Sequence, residues 1–309
     1  MQASMFDLVT VGHFAIDLIT SPKIASPQFT IGGPPTYTSI AAAKLGAKVS
    51  VISKVGEDFQ NKYLEWLKAN GVDLSGLKQV KDAATTKFTL TYRNGQRKLQ
   101  LKDRAPTISQ LDIPDSLQTK ALHIAPIANE IQNAVITKLR GLTEILSLDP
   151  QGFIRTFDKK GKMRPKPWKA NQALPQIDIY KSSSREIKTV TRVKELSLAM
   201  REVRDYGAKI VMVTRGLKGT ILLVDDEFYH IPACKPRVFR DPTGAGDAFI
   251  GAFLAEYLQG KEPLWCACVG SAASSYVVEG IGPAVFGERE ETYARAKGIY
   301  EKELKQLSI

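Results

Sequence analysis

The chain has 309 residues, of which 43% are hydrophobic and 24% are charged. This composition is typical of a folded protein and excludes a chain that is disordered throughout. The length allows one large α/β domain or two smaller ones. The formal net charge of +11 would suit a nucleic-acid binder, but the basic residues are spread along the whole chain. The densest basic run, residues 157–171, is predicted to be a solvated loop. We therefore expect no nucleic-acid partner, although a basic protein also attracts anionic small molecules such as nucleotides.

The cysteines and the N-terminal apolar run indicate the cellular compartment. Cys234, Cys266 and Cys268 do not form a disulfide framework, and the last two would point to different faces of a helix. They are predicted to be buried thiols in a reducing compartment. The run "LVTVGHFAIDLI" contains Asp17, lacks a basic leader and is too short to span a bilayer. A cytoplasmic protein that does not enter a membrane is expected.

The first elements alternate between strand and helix. Residues 6–12, "FDLVTVG", are predicted to be a buried strand, and residues 37–47, "YTSIAAAKLGA", an alanine-rich helix. Residues 48–56 form the next predicted strand and residues 60–71 the next helix, and both helices close on a glycine. This alternation predicts a mostly parallel sheet with helices on both faces.

Residues 85–103 interrupt the alternation. Two segments with alternating polarity flank Asn94-Gly95, the strongest short signal for a β-hairpin. Residues 19–33 are also composed of strand and turn residues. An antiparallel hairpin inserted in a strand–helix series is a candidate lid. We place this lid at about residues 18–33 and 85–105 of a single domain that spans residues 1–309.

The strand–helix series resumes at Lys120. The strand-like segments are "ALHIAPI", "EILSLDP", "DIYKSSS", "KIVMVTRG" and "GTILLVDDEFYHIP", and helical segments lie at 133–142 and 191–207. The tail, residues 288–307, is predicted to be a charged amphipathic helix at the surface.

Residues 239–253, "FRDPTGAGDAFIGAF", carry the clearest chemical signal. A glycine-rich loop runs into an apolar helix, so the N–H groups of Gly244, Ala245 and Gly246 would be unpaired and suited to a phosphate. Asp247 in the first helical turn would stay ionised and could accept a proton from a hydroxyl. A phosphate cradle beside a carboxylate base is the equipment for moving a phosphoryl group to an alcohol. Alternatively, Asp247 caps its own helix.

Other nucleotide-binding signatures are absent from the sequence. It contains no G-x-x-x-x-G-K-[ST] motif, no G-x-G-x-x-G after the first strand and no protein-kinase motifs. The sequence therefore lacks the main evidence for a P-loop nucleotidase or a Rossmann dehydrogenase.

The motif "DPTGAGDAFIGAF" resembles the C-terminal signature of the ribokinase-like (PfkB) carbohydrate kinases, with Pro242 in place of the signature's first Thr. The resemblance covers most of the chain. "VGHFAIDLI" resembles the family's first strand, "IGGPPTYTSIAAAKLG" its di-glycine signature, "KVGEDF" its next block and "VMVTRGLKGTILL" its segment near the nucleotide. The resemblance implies a three-layer α/β fold in which helices flank a mostly parallel central sheet, with a small β-sheet as lid.

The resemblance also implies roles for individual residues. Asp247 is the implied catalytic base, and Gly244, Ala245 and Gly246 form the anion hole. The implied nucleotide-binding residues are Lys181, Ser183, Thr214, Gly216, Gly219, Gly244 and Gly246. Asp17, Gly32 and Gly33 bind substrate, Glu186 organises Mg²⁺ through water, and Asp241 and Thr243 support a monovalent cation such as K⁺.

Departures from the family pattern affect the substrate residues. Tyr37 and Gln151 stand where the family usually has asparagines that read sugar hydroxyls, and Ser183 replaces a third asparagine. Tyr37 after the di-glycine, "LTYRNGQRKLQLKDRAP" in the lid and "DPQGFIR" at mid-chain together resemble the myo-inositol kinase branch. Asp17, Gln151 and Arg155 would then read the hydroxyls of a cyclitol. Alternatively, Arg155 anchors its loop to a carboxylate, Tyr37 packs a helix and Asp17 is a turn carboxylate at a strand end.

The resemblance thus implies an ATP- and Mg²⁺-dependent kinase that phosphorylates a sugar or cyclitol, with myo-inositol as the first candidate and a homodimer formed through the lid. A nucleoside kinase, or a sugar kinase acting on ribose or 2-keto-3-deoxygluconate, would use the same machinery. An inactive sugar-binding regulatory protein on this fold is the non-enzyme alternative, and a nucleic-acid binder would rest on net charge alone.

Overall fold

The computed structural model describes residues 6–22, 26–93, 96–302 and 304–307. The strands are β1 (Phe6–Val11), β2 (Ala15–Thr20), β3 (Gln28–Gly32), β4 (Val49–Gly56), β5 (Val72–Asp73), β6 (Leu77–Val80), β7 (Thr86–Arg93), β8 (Gln96–Asp103), β9 (Thr119–Ile124), β10 (Thr143–Leu148), β11 (Arg155–Phe157), β12 (Met163–Pro165), β13 (Ile179–Ser183), β14 (Ile210–Thr214), β15 (Thr220–Val224), β16 (Glu227–Ile231) and β17 (Lys305–Leu307). The helices are α1 (Pro34–Lys44), α2 (Asn61–Ala69), α3 (Asn133–Arg140), α4 (Ser184–Thr191), α5 (Leu196–Asp205), α6 (Ala245–Tyr257), α7 (Pro263–Val277) and α8 (Arg289–Lys302).

Most of these strands form one central sheet. Its order is β17-β16-β15-β14-β13-β10-β9-β1-β4-β5, and β6 pairs with β4. The strands from β14 to β5 run parallel, whereas β15, β16 and β17 add an antiparallel edge. The prediction of a mostly parallel sheet is confirmed. Because the strands are parallel, their carboxyl ends meet at one edge, where ligands bind in open α/β sheets.

Helices cover both faces of the central sheet, as predicted. Helices α1, α2, α6, α7 and α8 bury apolar side chains against one face, including Ile40, Phe253 and Val269. Helices α3, α4 and α5 cover the other face with residues such as Val135 and Met200. Helix α6 lies between α1 and α7 and is buried along most of its length, so its N-terminus is held by a rigid core.

A separate sheet of four strands, in the order β3-β2-β7-β8, forms the small sheet. Strands β7 and β8 are the predicted hairpin, with Arg93 opposite Gln96, and the predicted Asn94-Gly95 turn lies outside the described residues. The first piece begins at Ala15, three residues before the predicted start of the lid. Whether the small sheet moves as a lid stays a prediction.

Three segments differ from their predictions. Residues 157–171 are not all loop, because β11 and β12 pair as a hairpin and Trp168 stacks on Phe153 with ring centroids 4.6 Å apart. The helix predicted at 191–207 is interrupted at Arg192, which has a left-handed φ of 62°, so α5 begins only after Glu195. The strand-like segment 219–232 is a hairpin that turns at Asp225 and Asp226, both with positive φ. In each case side-chain polarity alone did not reveal a local reversal.

The C-terminal residues and the cysteines complete the fold. Helix α8 packs on α7 and buries Ala296, and residues 305–307 add a strand to the sheet edge instead of continuing the predicted helix. Cys266 and Cys268 are buried free thiols, as expected, because α7 is buried on nearly all sides, whereas Cys234 is half-buried. No helix among the described residues has both the length and the apolar character needed to cross a bilayer.

Candidate active site

The glycine loop turns into α6 at Gly244. This residue has a φ of 78° and caps the helix, and a Cβ atom there would lie 2.2 Å from the Tyr37 ring. Only glycine fits both constraints. The first N–H groups of a helix have no partner within the helix, so this end is suited to an anion. The expectation that all three N–H groups are unpaired is wrong for Ala245, whose N–H donates to the Pro242 carbonyl oxygen at 3.3 Å because the turn before the helix is tight.

Two cavities meet at this helix end. The large cavity, of about 250 Å³, is lined by Ala245 and Gly246 and extends past Thr214, Gly216 and Gly219 to α7. The small cavity, of about 70 Å³, is lined by Gly244 and Asp247 on one side; its other walls are Ala15, Asp17, Gly33, Pro34, Tyr37, Phe88, Leu90, Leu99, Ile127, Gln151, Arg155 and Thr243. The first residues of α6 therefore form the partition between the two spaces.

Asp247 is half-buried on this partition. Burial raises its pKa to about 6, an effect that Asp149 strengthens and that the positive charge of Lys181 opposes. Gln151 Nε2 lies 3.5 Å from Asp247 Oδ1 and is the one donor to this carboxylate among the described residues. The alternative that Asp247 caps its own helix finds no support in these contacts. A carboxylate with a raised pKa and few donors is suited to accept a proton near neutral pH.

Lys181 lies directly beneath the glycine loop. Its ammonium contacts Asp149 Oδ2 at 2.6 Å, and both side chains are buried. A Cβ atom at Gly246 would lie 2.7 Å from Lys181 Nζ, so a side chain there would displace the ammonium. Burial alone would lower the pKa of Lys181, but the carboxylates of Asp149, Asp247 and Glu186 outweigh it and raise that pKa. The lysine thus brings a permanent positive charge beneath the helix end.

Glu186 belongs to a second charged pair at the same sheet edge. Its Oε1 accepts a hydrogen bond from Arg155 Nη2 at 3.1 Å, and its Oε2 accepts from the N–H and the hydroxyl of Ser183 at 2.9 and 2.7 Å. Burial would raise the pKa of Glu186, but the guanidinium of Arg155 outweighs it and lowers that pKa. An ionised carboxylate has about four acceptor positions. The three donors therefore leave room for a water of a hydrated Mg²⁺ but little room for direct ligation of the ion.

The predicted nucleotide-binding residues do not all line the same cavity. Thr214, Gly216, Gly219 and Gly246 line the large cavity, whereas Gly244 faces the small one. Lys181 and Ser183 are not part of either wall; the serine caps α4 in a box with Glu186. Their assignment to nucleotide binding stays a prediction.

The predicted substrate residues lie mostly around the small cavity. Asp17, Gly33, Tyr37, Gln151 and Arg155 line it, and Gly32 makes room for Asp17, whose Oδ2 lies 2.0 Å from the position of a Cβ atom on Gly32. Asp17 lies within β2 opposite Thr30, so the alternative of a turn carboxylate at a strand end is wrong.

The contacts of Tyr37 and Arg155 agree in part with the alternatives that Tyr37 packs a helix and that Arg155 anchors its loop. The Tyr37 ring packs on Gly244 and lies 6.4 Å from the Phe286 ring, yet its buried hydroxyl has no hydrogen-bond partner among the described residues. Burial, together with Asp17, Asp241 and Asp247, raises the pKa of Tyr37 well above its usual value. Arg155 does anchor its loop to a carboxylate, that of Glu186, but it also lines the small cavity.

Asp241 and Thr243 make hydrogen bonds within the protein. Asp241 Oδ1 accepts from the N–H and the hydroxyl of Thr243 at 3.0 and 2.6 Å, and Oδ2 accepts from the Gly282 N–H at 3.1 Å. Their role at a monovalent cation stays a prediction.

Sequence reasoning missed the apolar wall of the small cavity and the tyrosine beside it. Phe88, Leu90 and Tyr92 alternate along β7 and therefore lie on one face of the small sheet. The Tyr92 hydroxyl lies 2.8 Å from Thr243 Oγ1. The period of two in "KFTLTY" was the available signal, but it does not tell which side faces the cavity.

The chain is similar to known kinases of one family. The family model described as "pfkB family carbohydrate kinase" matches residues 5–288. A cytidine kinase of Thermococcus kodakarensis is 31% identical over 274 residues, which cover 86% of this chain and 94% of the relative. A nucleoside kinase of Methanothermobacter thermautotrophicus is 28% identical, over 89% and 90% of the two chains. A solved pyrophosphate-dependent kinase of the ribokinase family, complexed with a pyrophosphate analog and myo-inositol, superimposes with a TM-score of 0.79 at 26% identity, over 93% of this chain and 99% of its own.

Proposed function

The chain belongs to the pfkB family of carbohydrate kinases, phosphotransferases that act on hydroxyl groups of sugars or nucleosides, and on that premise we propose its acceptor and its donor. The acceptor is a small polyhydroxylated ring, with myo-inositol as the first candidate. The donor is ATP with Mg²⁺. The transferred group is the γ-phosphoryl group, and the acceptor hydroxyl loses its proton to Asp247.

The observation that carries this proposal is the position of the α6 N-terminus between the two cavities. Ala245 and Gly246 face the large cavity, whereas Gly244 and Asp247 face the small one. A phosphoryl group that passes from one cavity to the other must cross this helix end. The N–H groups of Gly244 and Gly246 and the helix dipole stabilise its negative charge there, which is the main requirement of phosphoryl transfer.

Each charged side chain then has a role in the transfer. Asp247 accepts the proton of the acceptor hydroxyl as the oxygen–phosphorus bond forms, and the bridging oxygen leaves with the nucleoside diphosphate. Lys181 supplies positive charge beneath the loop. Glu186, with one acceptor position remaining, would hold a water of the Mg²⁺ ion. When bound, that ion neutralises charge on the donor phosphates.

The size of the small cavity favours a single ring as the acceptor. Its volume is about 70 Å³, against about 250 Å³ for the large cavity. Its polar groups, Asp17, Gln151 and Arg155, can each hydrogen-bond a ring hydroxyl, and the buried Tyr37 hydroxyl offers a fourth contact. The likeness to a kinase solved with myo-inositol supports the same choice.

A nucleoside is the second candidate acceptor. The specific observation in its favour is the apolar wall of Phe88, Leu90, Leu99 and Ile127, which could pack against a base. Curated relatives named as cytidine and nucleoside kinases support it too.

The donor also has two candidates, because the similar kinase solved with myo-inositol is pyrophosphate-dependent. The large cavity continues well beyond Gly246, to Leu217, Cys234 and Val278. Pyrophosphate would not need this additional apolar space, whereas a nucleoside would fill it. The apolar lining of this additional space therefore favours ATP.

A two-way phosphotransfer screen tests these assignments. Each acceptor, namely myo-inositol, ribose, fructose, 2-keto-3-deoxygluconate, cytidine and adenosine, is offered with ATP–Mg²⁺ and separately with pyrophosphate–Mg²⁺. We expect the highest kcat/KM for myo-inositol with ATP. Turnover of nucleosides alone would overturn the acceptor, and turnover with pyrophosphate alone would overturn the donor. Binding of a sugar without any turnover would favour the regulatory alternative.

A further inference from the structure

Tyr92 connects the small sheet to the loop that precedes α6. Its hydroxyl lies 2.8 Å from Thr243 Oγ1, although the two residues are 151 positions apart in the chain. Phe88 and Leu90, on the same face of β7, line the small cavity. Tyr92 is therefore placed where the wall of the small cavity reaches the loop before α6, residues 241–244, here called the phosphoryl loop.

The direction of this hydrogen bond follows from the protons available. The Thr243 hydroxyl lies 2.6 Å from Asp241 Oδ1, and a carboxylate only accepts. Since a hydroxyl has one proton, Thr243 donates it to Asp241, and Tyr92 must donate to Thr243. The chain Tyr92 to Thr243 to Asp241 runs in one direction, so its bonds strengthen one another.

Asp241 also accepts a hydrogen bond from a residue that lies close to β3 of the small sheet. Its Oδ2 accepts from the Gly282 N–H at 3.1 Å. Gly282 has a φ of 58°, and a Cβ atom there would lie 2.4 Å from Thr30 Oγ1 on β3. Two strands of the small sheet, β7 through Tyr92 and β3 through Thr30, thus reach the partners of one buried carboxylate.

We propose that Tyr92 is a positioning residue that couples closure of the small sheet to the geometry of the phosphoryl loop. This inference rests on the proposed kinase function. Thr243 directly precedes Gly244, whose left-handed turn directs the first N–H groups of α6 toward the transferred phosphoryl group. When Tyr92 donates to Thr243, the loop is held in this geometry while the small sheet excludes water from the acceptor. When the small sheet opens, the loop loses this donor.

The variant Tyr92→Phe tests the inference because it keeps the ring and removes the donor. We expect kcat to fall about three- to tenfold, the effect of losing one hydrogen bond, with a smaller change in acceptor KM. The ratio of ATP hydrolysed to acceptor phosphorylated should rise, because water enters a loosely closed site. The matched control Tyr206→Phe, at an exposed tyrosine after α5, should behave as wild type. Unchanged kcat and hydrolysis ratio in Tyr92→Phe would overturn the inference, whereas a wild type that phosphorylates no acceptor would count against the proposed function.

A double-mutant cycle tests whether Tyr92 acts through Thr243. In the Thr243→Val background, where the acceptor of the Tyr92 proton is missing, Tyr92→Phe should change kcat less than about twofold. In the Thr243→Ser background, which keeps a hydroxyl, Tyr92→Phe should retain its full effect. An equal effect of Tyr92→Phe in the wild-type and Thr243→Val backgrounds would show that the tyrosine acts on another group, and the inference would fail.

Discussion

The phosphoryl loop and the wall of the small cavity are built in opposite ways. The loop and the first turn of α6 occupy consecutive residues, 241–247, whereas the small cavity draws its wall from β2, α1, β7, β8 and the segments after β9 and β10. In the proposed mechanism the first region carries the chemistry common to every acceptor. The second region would select the acceptor, and its parts meet only in the folded protein. Matched changes in the two regions should therefore affect turnover differently.

The largest expected effect is a loss of kcat in Asp247→Asn that Asp17→Asn does not share. Asp247→Asn should lower kcat by about 10²–10⁴ for every acceptor, because the proton acceptor is lost while binding remains. The same chemical change on the acceptor side, Asp17→Asn, should mainly raise acceptor KM, by about 10- to 100-fold, and to a different extent for each acceptor. Steady-state kinetics with two acceptors measure both. Equal loss of kcat in the two variants would contradict the assignment of proton transfer to the loop and of acceptor binding to the cavity wall.

The stability of Asp247→Asn shows whether its loss of activity comes from the missing proton acceptor or from misfolding. The pKa of Asp247 is raised from 3.8 to about 6 in the folded state, so its ionised form opposes folding above pH 6. Removing that charge should raise the free energy of unfolding by about 2 kcal/mol at pH 8, and the gain should shrink as the pH falls toward 4. Urea unfolding at several pH values measures this. A destabilised variant would instead indicate misfolding as the cause of inactivity.

The second comparison concerns Tyr37, which lines the small cavity and packs on Gly244 of the loop. Gly244 and Gly260 share nearly the same left-handed φ, 78° and 76°. A Cβ atom at Gly244 would meet the Tyr37 ring at 2.2 Å, whereas a Cβ atom at Gly260 would have no described residue other than its chain neighbours within 4 Å. Gly260→Ala should cost about 1–2 kcal/mol from backbone strain alone. Gly244→Ala should cost about 1–3 kcal/mol more, from overpacking. If urea unfolding gave the same loss of unfolding free energy for both variants, the Tyr37 ring would be able to move aside without a cost.

The smallest expected effect is the dependence of turnover on pH. Because Asp247 must be ionised to accept a proton, kcat/KM for the acceptor at saturating donor should be level above a pH of about 6 and fall about tenfold per unit below it. With an ordinary aspartate pKa the fall would begin near pH 4 instead. A profile that stays level down to pH 5 would contradict the raised pKa.

The local sequence predicted those features that depend on residues close together in the chain. "GAGD" followed by an apolar run predicted the helix N-terminus, and alternating strands and helices predicted the parallel sheet, because both depend on short-range geometry. The chain reversals at Arg192 and Asp225-Asp226 were not predicted, because single residues with positive φ are not visible in polarity patterns. The cap that Ser183 forms on α4 was also not predicted, and the nucleotide-binding role that the family resemblance implies for this residue stays a prediction.

The sequence by itself determined the reaction class, since the groups proposed to handle a phosphoryl group and a proton lie within one turn of helix. Only the tertiary structure decided which side chains line the small cavity and how the small sheet meets the loop. Asp17, Tyr37, Phe88, Gln151 and Arg155 come from separate elements, and Tyr92 reaches Thr243 across 151 residues. Contacts of that kind depend on the packing of whole sheets, which a period of two or of 3.6 along the chain does not specify.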